Sequence, residues 1–311
     1  MNVSRPLGRA DYQAESFCNM NPLSLSDKCI NEFAKVTVII LTYNEEVNLQ
    51  AALKSVVGWA AQILVVDSYS NDETLKIAEN CGVSAHQNPW TDWATQRNWA
   101  LDNLPIRNEW VLFLDADERV TAELAEEIGE TLRNVRNDVN GFYINRRFVF
   151  LGRELRHGGY NPNWVLRLVR RNKTRVLPAG DSEYFKVEGT TSKLKSFMIH
   201  EDKKDLSFFI DKHNKICKLA ANRLFNRERI STEHKKRSYA LEGKRRVWLK
   251  ESILNKLPLF LRPFFLFGYK YIFRLGFLDG KEGLIYYFLH DFWYPFLVDA
   301  KILEIKKRVK D

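Results

Sequence analysis

Two aspartates separated by a single residue could together bind a divalent metal ion. Asp115 and Asp117 follow the apolar segment 110–114 and precede Glu118. Carboxylates at this spacing can both reach a hard cation such as Mg²⁺ or Mn²⁺, and such a cation can bridge the two phosphates of a diphosphate. An isolated D-x-D pair is common by chance, so its position at the end of a buried strand carries the prediction.

Two other polar clusters also follow apolar segments in the same half of the chain. Residues 42–45 end the β-branched run 36–42, and residues 67–72 come at the end of the run 62–67. Aspartate and asparagine at such positions are also ordinary turn formers and helix caps, which is the better explanation for any one cluster alone. Three clusters at the carboxyl ends of successive strands favour one shared site, because open α/β sheets bind ligands along that edge.

The hydrophobic pattern predicts the elements that hold these clusters. The continuous run 36–42 suits a central strand of a parallel sheet that is covered on both faces. Further strands are predicted at 62–67, 83–87, 110–114, 141–150 and 164–169, with helices near 47–57, 73–80, 93–104 and 121–132. From residue 206 onward the pattern is helical. The expected fold class is therefore α/β, with a Rossmann-like sheet flanked by helices and a helical C-terminal extension.

Composition limits the classes of partner and compartment. Hydrophobic residues make up 45% of the 311 residues and charged residues 28%, as in an ordinary folded protein. The net charge of +9 indicates an anionic partner, which could be nucleic acid, acidic lipid or a phosphorylated substrate. The four cysteines form no C-x-x-C pair, so a reducing, cytosolic setting is expected. Neither a signal peptide nor a membrane-spanning segment is predicted.

Three segments of the chain resemble the signature segments of family 2 glycosyltransferases, which have the GT-A fold. They are residues 38–46 (VIILTYNEE), 64–74 (LVVDSYSNDET) and 112–118 (LFLDADE). Their occurrence together and in this order is far more specific than a single motif. Segments 93–100 and 163–171 resemble the lipopolysaccharide-core and exopolysaccharide glucosyltransferase-like branch. The resemblance implies inverting transfer of a hexose from a nucleotide sugar, with UDP as the expected nucleotide, to a lipid-linked or lipopolysaccharide-type acceptor.

The resemblance also implies roles for individual residues. The nucleotide pocket is expected to be lined by Thr42, Asn44 and Glu45, and Asp67 is expected to contact the base. Asp115 is expected near the ribose and the metal, with Asp117 as a metal ligand and Arg97 near the diphosphate, where a guanidinium can bind two oxygens. Tyr69 departs from the family pattern, in which glycine is usual, so the turn after Asp67 must accept a bulky side chain.

Inverting transfer needs a general base that takes the proton of the acceptor hydroxyl. Glu183, in segment 183–189, matches the glutamate of the related branch. That branch usually has histidine where this chain has Ser182, which leaves Asp181 as an alternative base. Glu183 could instead be an exposed strand carboxylate in a surface ion pair. His200 is a further candidate for binding metal or phosphate, although a histidine at a strand end is more often structural.

The C-terminal third is first basic and then aromatic. Fifteen basic residues fall between Lys203 and Lys250, and Phe, Tyr and Trp are frequent from 257 to 296. This mixture favours contact with an anionic membrane surface. The alternative is a helical cap that packs on the catalytic domain. Nucleic acid is disfavoured because no recognition motif accompanies the charge.

The sequence thus predicts a loosely ordered leader (1–34), a catalytic domain (35–205) and a basic, aromatic helical region (206–311). It places the protein in the cytoplasm, peripheral on the inner face of the plasma membrane. A nucleotidyltransferase and a carbohydrate- or lipid-binding scaffold are the alternatives. The first would usually have a glycine-rich, basic loop after the first strand, which residues 42–45 do not provide.

Overall fold

The computed structural model describes residues 34–179, 182–227 and 257–309. The predicted leader, the alternative base Asp181 and much of the basic segment after residue 227 lie outside these ranges.

A mixed sheet forms the centre of the molecule. Nine strands take part, in the order β3-β2-β1-β4-β8-β6-β11-β5, with β7 paired to β6. They are β1 (Ala34–Thr42), β2 (Ala60–Asp67), β3 (Ser84–Gln87), β4 (Trp110–Asp115), β5 (Glu118–Val120), β6 (Val139–Phe150), β7 (Arg153–Glu154), β8 (Trp164–Arg170) and β11 (Thr190–His200). β1 is parallel to both β2 and β4, as the sequence predicts, and β8 then pairs antiparallel to β4.

Helices cover both faces of the parallel strands. They are α1 (Leu49–Lys54), α2 (Thr74–Asn80), α3 (Trp93–Asn103) and α4 (Ala122–Arg133). Val38 and Ile40 of β1 pack in one core cluster and Ile39 in a second cluster on the opposite face. Alternate side chains of the strand therefore enter two separate cores, which explains the uninterrupted apolar run in the sequence. Thr121 caps α4, as predicted, by accepting a hydrogen bond from the backbone N–H of Leu124 at 3.3 Å.

A separate hairpin of β9 (Thr174–Ala179) and β10 (Ser182–Val187) lies against α3. Phe185 of β10 packs in the same core cluster as Phe113 of β4, with ring centroids 5.6 Å apart. This packing fixes the position of Glu183 near the end of β4.

The C-terminal region is helical. Its elements are α5 (Leu206–Arg227), α6 (Leu261–Phe267), the π-helical turn Gly268–Phe273, the 3-10 turn Gly276–Asp279, α7 (Gly280–Tyr287), the π-helical turn Phe288–Trp293 and α8 (Tyr294–Arg308). α5 packs on α8 through Cys217 and Ala221 against Val298. Among the helices that the structure describes, none combines the length and the apolar character needed to cross a bilayer.

Candidate active site at the carboxyl edge of the sheet

The ends of β1 and β2 are joined by a hydrogen bond between predicted site residues. Thr42 lies opposite Asp67 in the strand register, and its hydroxyl donates to Oδ1 of Asp67 at 3.0 Å. Asn44 connects the two loops that follow, because its N–H donates to Oγ of Ser70 at 2.8 Å and its Oδ1 accepts from N–H of Asn71 at 2.9 Å. The first two polar clusters therefore form one bonded surface.

Asp67 is fully buried beneath this surface. Its carboxylate also accepts from the N–H of Ser70 at 2.9 Å and from Nε2 of Gln87 at 3.2 Å. Such bonding fixes the carboxylate in place. A nucleotide base would reach it only if a neighbouring polar side chain moved.

Two residues of these loops have left-handed backbone conformations. Asn44 has φ of 53° and Tyr69 has φ of 61°. Asparagine adopts this region more readily than other residues, whereas it is uncommon for a bulky side chain. The ring of Tyr69 points outward and is 56% exposed. The turn thus accepts tyrosine in place of glycine by leaving the ring in solvent.

A buried cluster of ion pairs lies at the end of β4. Nη2 of Arg97 is 2.7 Å from Oδ1 of Asp115, and Nε of Arg97 is 2.6 Å from Oε2 of Glu183. Arg167 bonds the other oxygen of Asp115 and lies 3.2 Å from Oε1 of Glu183 through Nη1. Both guanidiniums are buried, so the carboxylates are held by charged groups that are themselves shielded from water.

Glu118 extends this cluster towards the antiparallel half of the sheet. Its Oε1 lies 3.1 Å from Nη2 of Arg167 and 3.2 Å from Nη1 of Arg146. Neither arginine was singled out from the sequence for this role, although Arg167 falls in segment 163–171 that carries the family resemblance. An arginine inside the strand β8, between the apolar Leu166 and Leu168, is the signal that could have identified it.

The charges of this cluster set the ionisation of its members. Burial opposes the charged form of Asp115, but Arg167 and Arg97 outweigh it and hold the pKa of this carboxyl well below its usual value. Burial likewise opposes the charge of Arg167, and its three carboxylate partners raise the pKa above the usual value. Both groups are therefore ionised across the physiological range.

Asp117 and His200 face each other beside this cluster. Antiparallel pairing of β5 with β11 puts His200 opposite Glu118, and Nδ1 of His200 lies 3.3 Å from Oδ1 of Asp117. Both atoms are buried, and apart from this contact with each other neither has a polar partner among the described residues. Burial would raise the pKa of Asp117, but His200 and the more distant Lys212 lower it to about 2.

An unbonded carboxylate oxygen and an unbonded imidazole nitrogen are suitable ligands for a divalent cation. Both oxygens of Asp115 are already bonded to arginines, whereas Oδ1 of Asp117 and Nδ1 of His200 contact only each other among the described residues. Within 34–179, 182–227 and 257–309 no group of three His, Cys, Asp or Glu side chains is arranged to hold a metal. Two protein ligands fit an ion whose remaining ligands are phosphate oxygens and water, as is usual for Mg²⁺.

The segment after β11 closes over the first loop. Nζ of Lys204 is 2.6 Å from Oε1 of Glu45, and Nδ2 of Asn48 donates to Oε2 of Glu45 at 2.8 Å. Burial raises the pKa of Glu45, and the bond from Lys204 offsets this only in part. Glu45 thus lies within a closed polar contact and not in open solvent.

The predicted site residues fall into two adjoining groups. Thr42, Asn44 and Asp67 share the bonded loops, with Glu45 beside them. The second group, at the end of β4, contains Arg97, Asp115, Glu183, Asp117 and His200. Glu183 is 15% exposed and doubly paired, so it is not a residue of an open surface ion pair.

A parallel-strand core with acidic side chains along its carboxyl edge is typical of nucleotide-binding α/β proteins. The sequence profile of glycosyl transferase family 2 matches residues 37–228, well over half of the chain. The chain therefore belongs to family 2 of the glycosyltransferases, and its sheet flanked by helices is the fold expected from the sequence.

Curated relatives match over a shorter stretch. An uncharacterized glycosyltransferase of Rickettsia bellii is 37% identical over 94 residues, which cover 30% of this chain and 31% of that protein. The glycosyltransferase SunS of Bacillus subtilis is 29% identical over 100 residues, covering 32% of this chain and 24% of SunS. The matches span less than a third of the length of these relatives, so they do not transfer a substrate.

Solved structures with a similar arrangement are also glycosyltransferases. Staphylococcus aureus TarS 1-349 in complex with UDP-GlcNAc has 16% sequence identity and a TM-score of 0.45, and the match covers 89% of this chain and 92% of TarS. The mannosyltransferase PcManGT of Pyrobaculum calidifontis, in complex with GDP-Man and Mn²⁺, has 13% identity and a TM-score of 0.43, with 89% and 76% covered. At these scores the likeness adds nothing to the choice of donor.

Proposed function

We propose that the protein is an inverting hexosyltransferase that uses a nucleoside-diphosphate sugar, with UDP as the nucleotide, and a divalent cation. The observation that carries the proposal is the pair of buried atoms on Asp117 and His200, beside the charged cluster of Asp115, whose only polar contact among the described residues is with each other. Buried polar atoms without partners are rare in folded proteins and are costly unless a ligand completes them. A metal-bound diphosphate would complete both.

The donor nucleotide is proposed to lie along the bonded loops after β1 and β2. Thr42, Asn44 and Glu45 would line its pocket, with Asp67 on the base side. These loops are held together by hydrogen bonds before any ligand arrives, so little ordering is needed on binding. The diphosphate would then lie towards Asp117, with Asp115 near the ribose.

Asp117 and His200 are proposed to hold Mg²⁺ or Mn²⁺. The bound cation supplies positive charge that stabilises the diphosphate leaving group. Arg97 is proposed to contact the diphosphate through Nη1, which has no hydrogen-bond partner among the described residues, while its Nη2 and Nε pair with Asp115 and Glu183. Arg97 is also proposed to hold both carboxylates in place. Lys212, whose side chain is 45% exposed and whose Nζ lies 3.9 Å from Oδ2 of Asp202, is proposed to turn towards the phosphate.

Glu183 is proposed as the base that accepts the proton of the acceptor hydroxyl. That oxygen attacks the anomeric carbon while the bond from carbon to the diphosphate oxygen breaks, so the configuration inverts without a covalent enzyme intermediate. Arg97 and Arg167 orient the carboxylate of Glu183, and one of these bonds must loosen when the proton arrives. Asp181 remains the alternative base.

The acceptor is proposed to be a lipid-linked or lipopolysaccharide-type saccharide. The protein would meet it at the cytoplasmic face of the plasma membrane, as a peripheral protein on an anionic surface. The supporting observation is the basic and aromatic character of the C-terminal region, which has no counterpart in the sheet domain.

The proposal is tested by measuring nucleoside diphosphate released from a panel of nucleotide sugars with Mn²⁺, Mg²⁺ or EDTA. Asp117→Asn should lower release on the order of 100-fold and should also weaken Mn²⁺ binding measured by electron paramagnetic resonance. Asp102→Asn is the matched control, because Asp102 forms a half-exposed ion pair with Arg175 away from this edge. Nucleotide-sugar binding without turnover in the wild-type protein would instead favour a binding scaffold.

Glu183→Gln and Asp181→Asn separate the two candidate bases. Loss of the acidic limb of the pH–rate profile, in which the base becomes protonated, in only one of the two variants identifies the base. Equal, small effects in both would contradict a carboxylate base in this hairpin.

A further inference from the structure

The C-terminal region exposes an apolar surface at a place where most proteins are polar. Residues 261–273 and 280–308 form two helical segments, and the turn between them contains Leu275, Phe277 and Leu278. All three of these side chains are exposed, as are Ile272 and Phe273 just before them; the ring of Phe273 is 78% exposed. Turns are normally polar because water surrounds them. A turn composed of large apolar side chains indicates a non-aqueous partner.

The apolar surface continues along both helical segments. We call it the apolar face, and it consists of Leu261, Phe264, Phe265, Ile272, Phe273, Leu275, Phe277, Leu278, Leu284, Ile285 and Phe288, which are all exposed. No comparable group of exposed aromatic residues is found elsewhere in 34–179, 182–227 and 257–309. Exposed apolar patches of this extent mark protein or membrane contacts.

The opposite side of these helices is fixed to the sheet domain by buried carboxylates. Asp279 accepts from the backbone N–H of His157 at 3.1 Å and from the hydroxyl of Tyr287 at 2.7 Å. Asp291 accepts from the hydroxyl of Tyr160 at 2.9 Å and lies 2.7 Å from Nζ of Lys270. Because burying these charges without partners would be costly, the helices cannot rotate to hide the apolar face.

Two exposed cations are close in sequence to residues of the apolar face. Arg274 in the turn is exposed, and the side chain of Lys281 at the start of α7 is 87% exposed. The last turn of α8 contains Lys306, Lys307 and Arg308. Aromatic rings bordered by lysine and arginine are the combination that is stable between lipid headgroups and acyl chains.

We propose that the apolar face inserts into one leaflet of an anionic bilayer, so that residues 261–288 lie in the headgroup boundary without crossing the membrane. The inference deepens the proposed function, and its choice of a lipid partner rests on the proposed lipid-linked acceptor. The same helices touch the candidate site, because Tyr286 packs on Phe148 with ring centroids 4.8 Å apart and Phe148 stacks on His200 at 5.1 Å. Insertion would therefore hold the metal-binding pair close to the membrane surface.

The test is flotation of the full-length protein with vesicles of phosphatidylcholine and phosphatidylglycerol. The variant combines Phe265→Gln, Ile272→Gln and Phe273→Gln, which change three side chains that are each more than half exposed. Since each loses most of its apolar burial in lipid, the partition coefficient should fall about 100-fold or more. The matched control combines Val57→Gln, Leu151→Gln and Leu219→Gln, which are equally exposed but lie outside the apolar face, and it should float like the wild type.

Several outcomes overturn the inference. One is flotation of the triple variant at wild-type levels. Another is wild-type binding that disappears in 0.5 M NaCl, which would mean adsorption by charge without insertion. A third is a wild-type protein that is dimeric and a triple variant that is monomeric in light scattering, while both proteins float equally well. This result would assign the apolar face to contact with a second copy of the chain.

Nucleotide binding, measured by calorimetry on the same variants without vesicles, should stay unchanged. If the wild-type protein bound no nucleotide, the proposed function would be contradicted, whereas membrane insertion would not be. Equal melting temperatures for the two triple variants show that both remain folded.

Discussion

The sheet edge and the C-terminal helices depart from the usual distribution of residues in opposite ways. At the sheet edge, Arg97 and Arg167 are buried and paired with the partly exposed carboxylates of Asp115 and Glu183. In the C-terminal helices, Phe265 and Phe273 are left in solvent. Charged side chains are almost never fully buried unless paired, and large apolar patches are rarely exposed.

These two departures favour different kinds of ligand. Four buried atoms of the sheet edge have no hydrogen-bond partner among the described residues, apart from the 3.3 Å contact between the first two: Oδ1 of Asp117, Nδ1 of His200, Nη1 of Arg97 and Nε of Arg167. Such atoms favour a charged ligand that enters from solvent. An exposed aromatic surface favours an apolar partner. Both regions conflict with ordinary folding preferences, and such conflicts are expected at functional sites.

The largest expected effect tests whether the sheet edge depends on its buried charges. Arg167→Met removes the guanidinium that bonds Asp115, Glu118 and Glu183. Because three carboxylates lose a buried partner, the free energy of unfolding should fall by about 3–5 kcal/mol. Urea denaturation measures it.

Arg175→Met is the control for that experiment. Arg175 pairs with Asp102 at 2.9 Å, but both side chains are about half exposed. Exposed pairs contribute roughly 0–1 kcal/mol, so the control should unfold at nearly the wild-type urea concentration. A similar small effect for Arg167→Met would mean that the cluster does not stabilise the fold.

The strands of the parallel core could be predicted because their cause is local. The β-branched run of β1 and the apolar run of β4 each indicate a strand without reference to the rest of the chain. Parallel pairing then brings Leu41 opposite Asp115 and Thr42 opposite Asp67. The grouping of the polar clusters at one edge follows from those two steps alone.

The charge cluster could not be predicted because its members meet only through tertiary contacts. Arg97 is on α3, Arg167 on β8 and Glu183 on the separate β9–β10 hairpin. Likewise, His200 reaches Asp117 only because β11 pairs with the three-residue strand β5, which is too short to give a pattern. Sequence spacing contains no information on such pairings.

The sequence allows two interpretations of the C-terminal region. One is contact with a membrane, and the other is a helical cap that packs on the catalytic domain. Tyr286 and Tyr287 are buried, whereas Leu284, Ile285 and Phe288 on the same helical segment are exposed. An aromatic-rich sequence does not show which rings face inward, because both sides of these helices are apolar. Membrane contact itself remains a proposal.

The second prediction tests whether the C-terminal helices are held by the polar contacts beneath them. Tyr287→Phe removes the hydroxyl that donates to Asp279. A buried carboxylate that loses a hydrogen bond should cost about 1–3 kcal/mol in unfolding free energy. Hydrogen exchange of the backbone amides should rise mainly in 274–287. Tyr271→Phe, which leaves Asp279 untouched, is the control, and equal effects would argue against this anchoring role.

The third prediction concerns pH at the junction of α5 with the C-terminal helices. His213 packs on Phe209 with ring centroids 3.9 Å apart, and burial lowers its pKa to about 4 from an ordinary 6.5. Between pH 6.5 and 4 the unfolded chain therefore binds more protons at this residue than the folded chain. Stability should fall on acidification through this window by roughly 1–2 kcal/mol, allowing for partial exposure.

Thermal unfolding at pH 7, 6, 5 and 4 measures this dependence. His213→Gln should flatten the slope in that window, because no proton binds at the position. A slope unaltered by His213→Gln would assign the acid sensitivity to other groups.

The smallest expected effect returns to the donor loops and has the opposite sign. Tyr69 has φ of 61° and its ring is mostly in solvent, so glycine at this position should relieve backbone strain while losing little packing. Since glycine also raises the entropy of the unfolded chain, the net gain should be about 0.5–1 kcal/mol, or a few degrees in melting temperature. Tyr69→Ala keeps the β-carbon and should show no gain. If alanine stabilises as much as glycine, the ring and not the backbone is the source of the cost, and the sheet edge would then contain an unfavourably exposed aromatic of the kind that otherwise characterises the C-terminal helices.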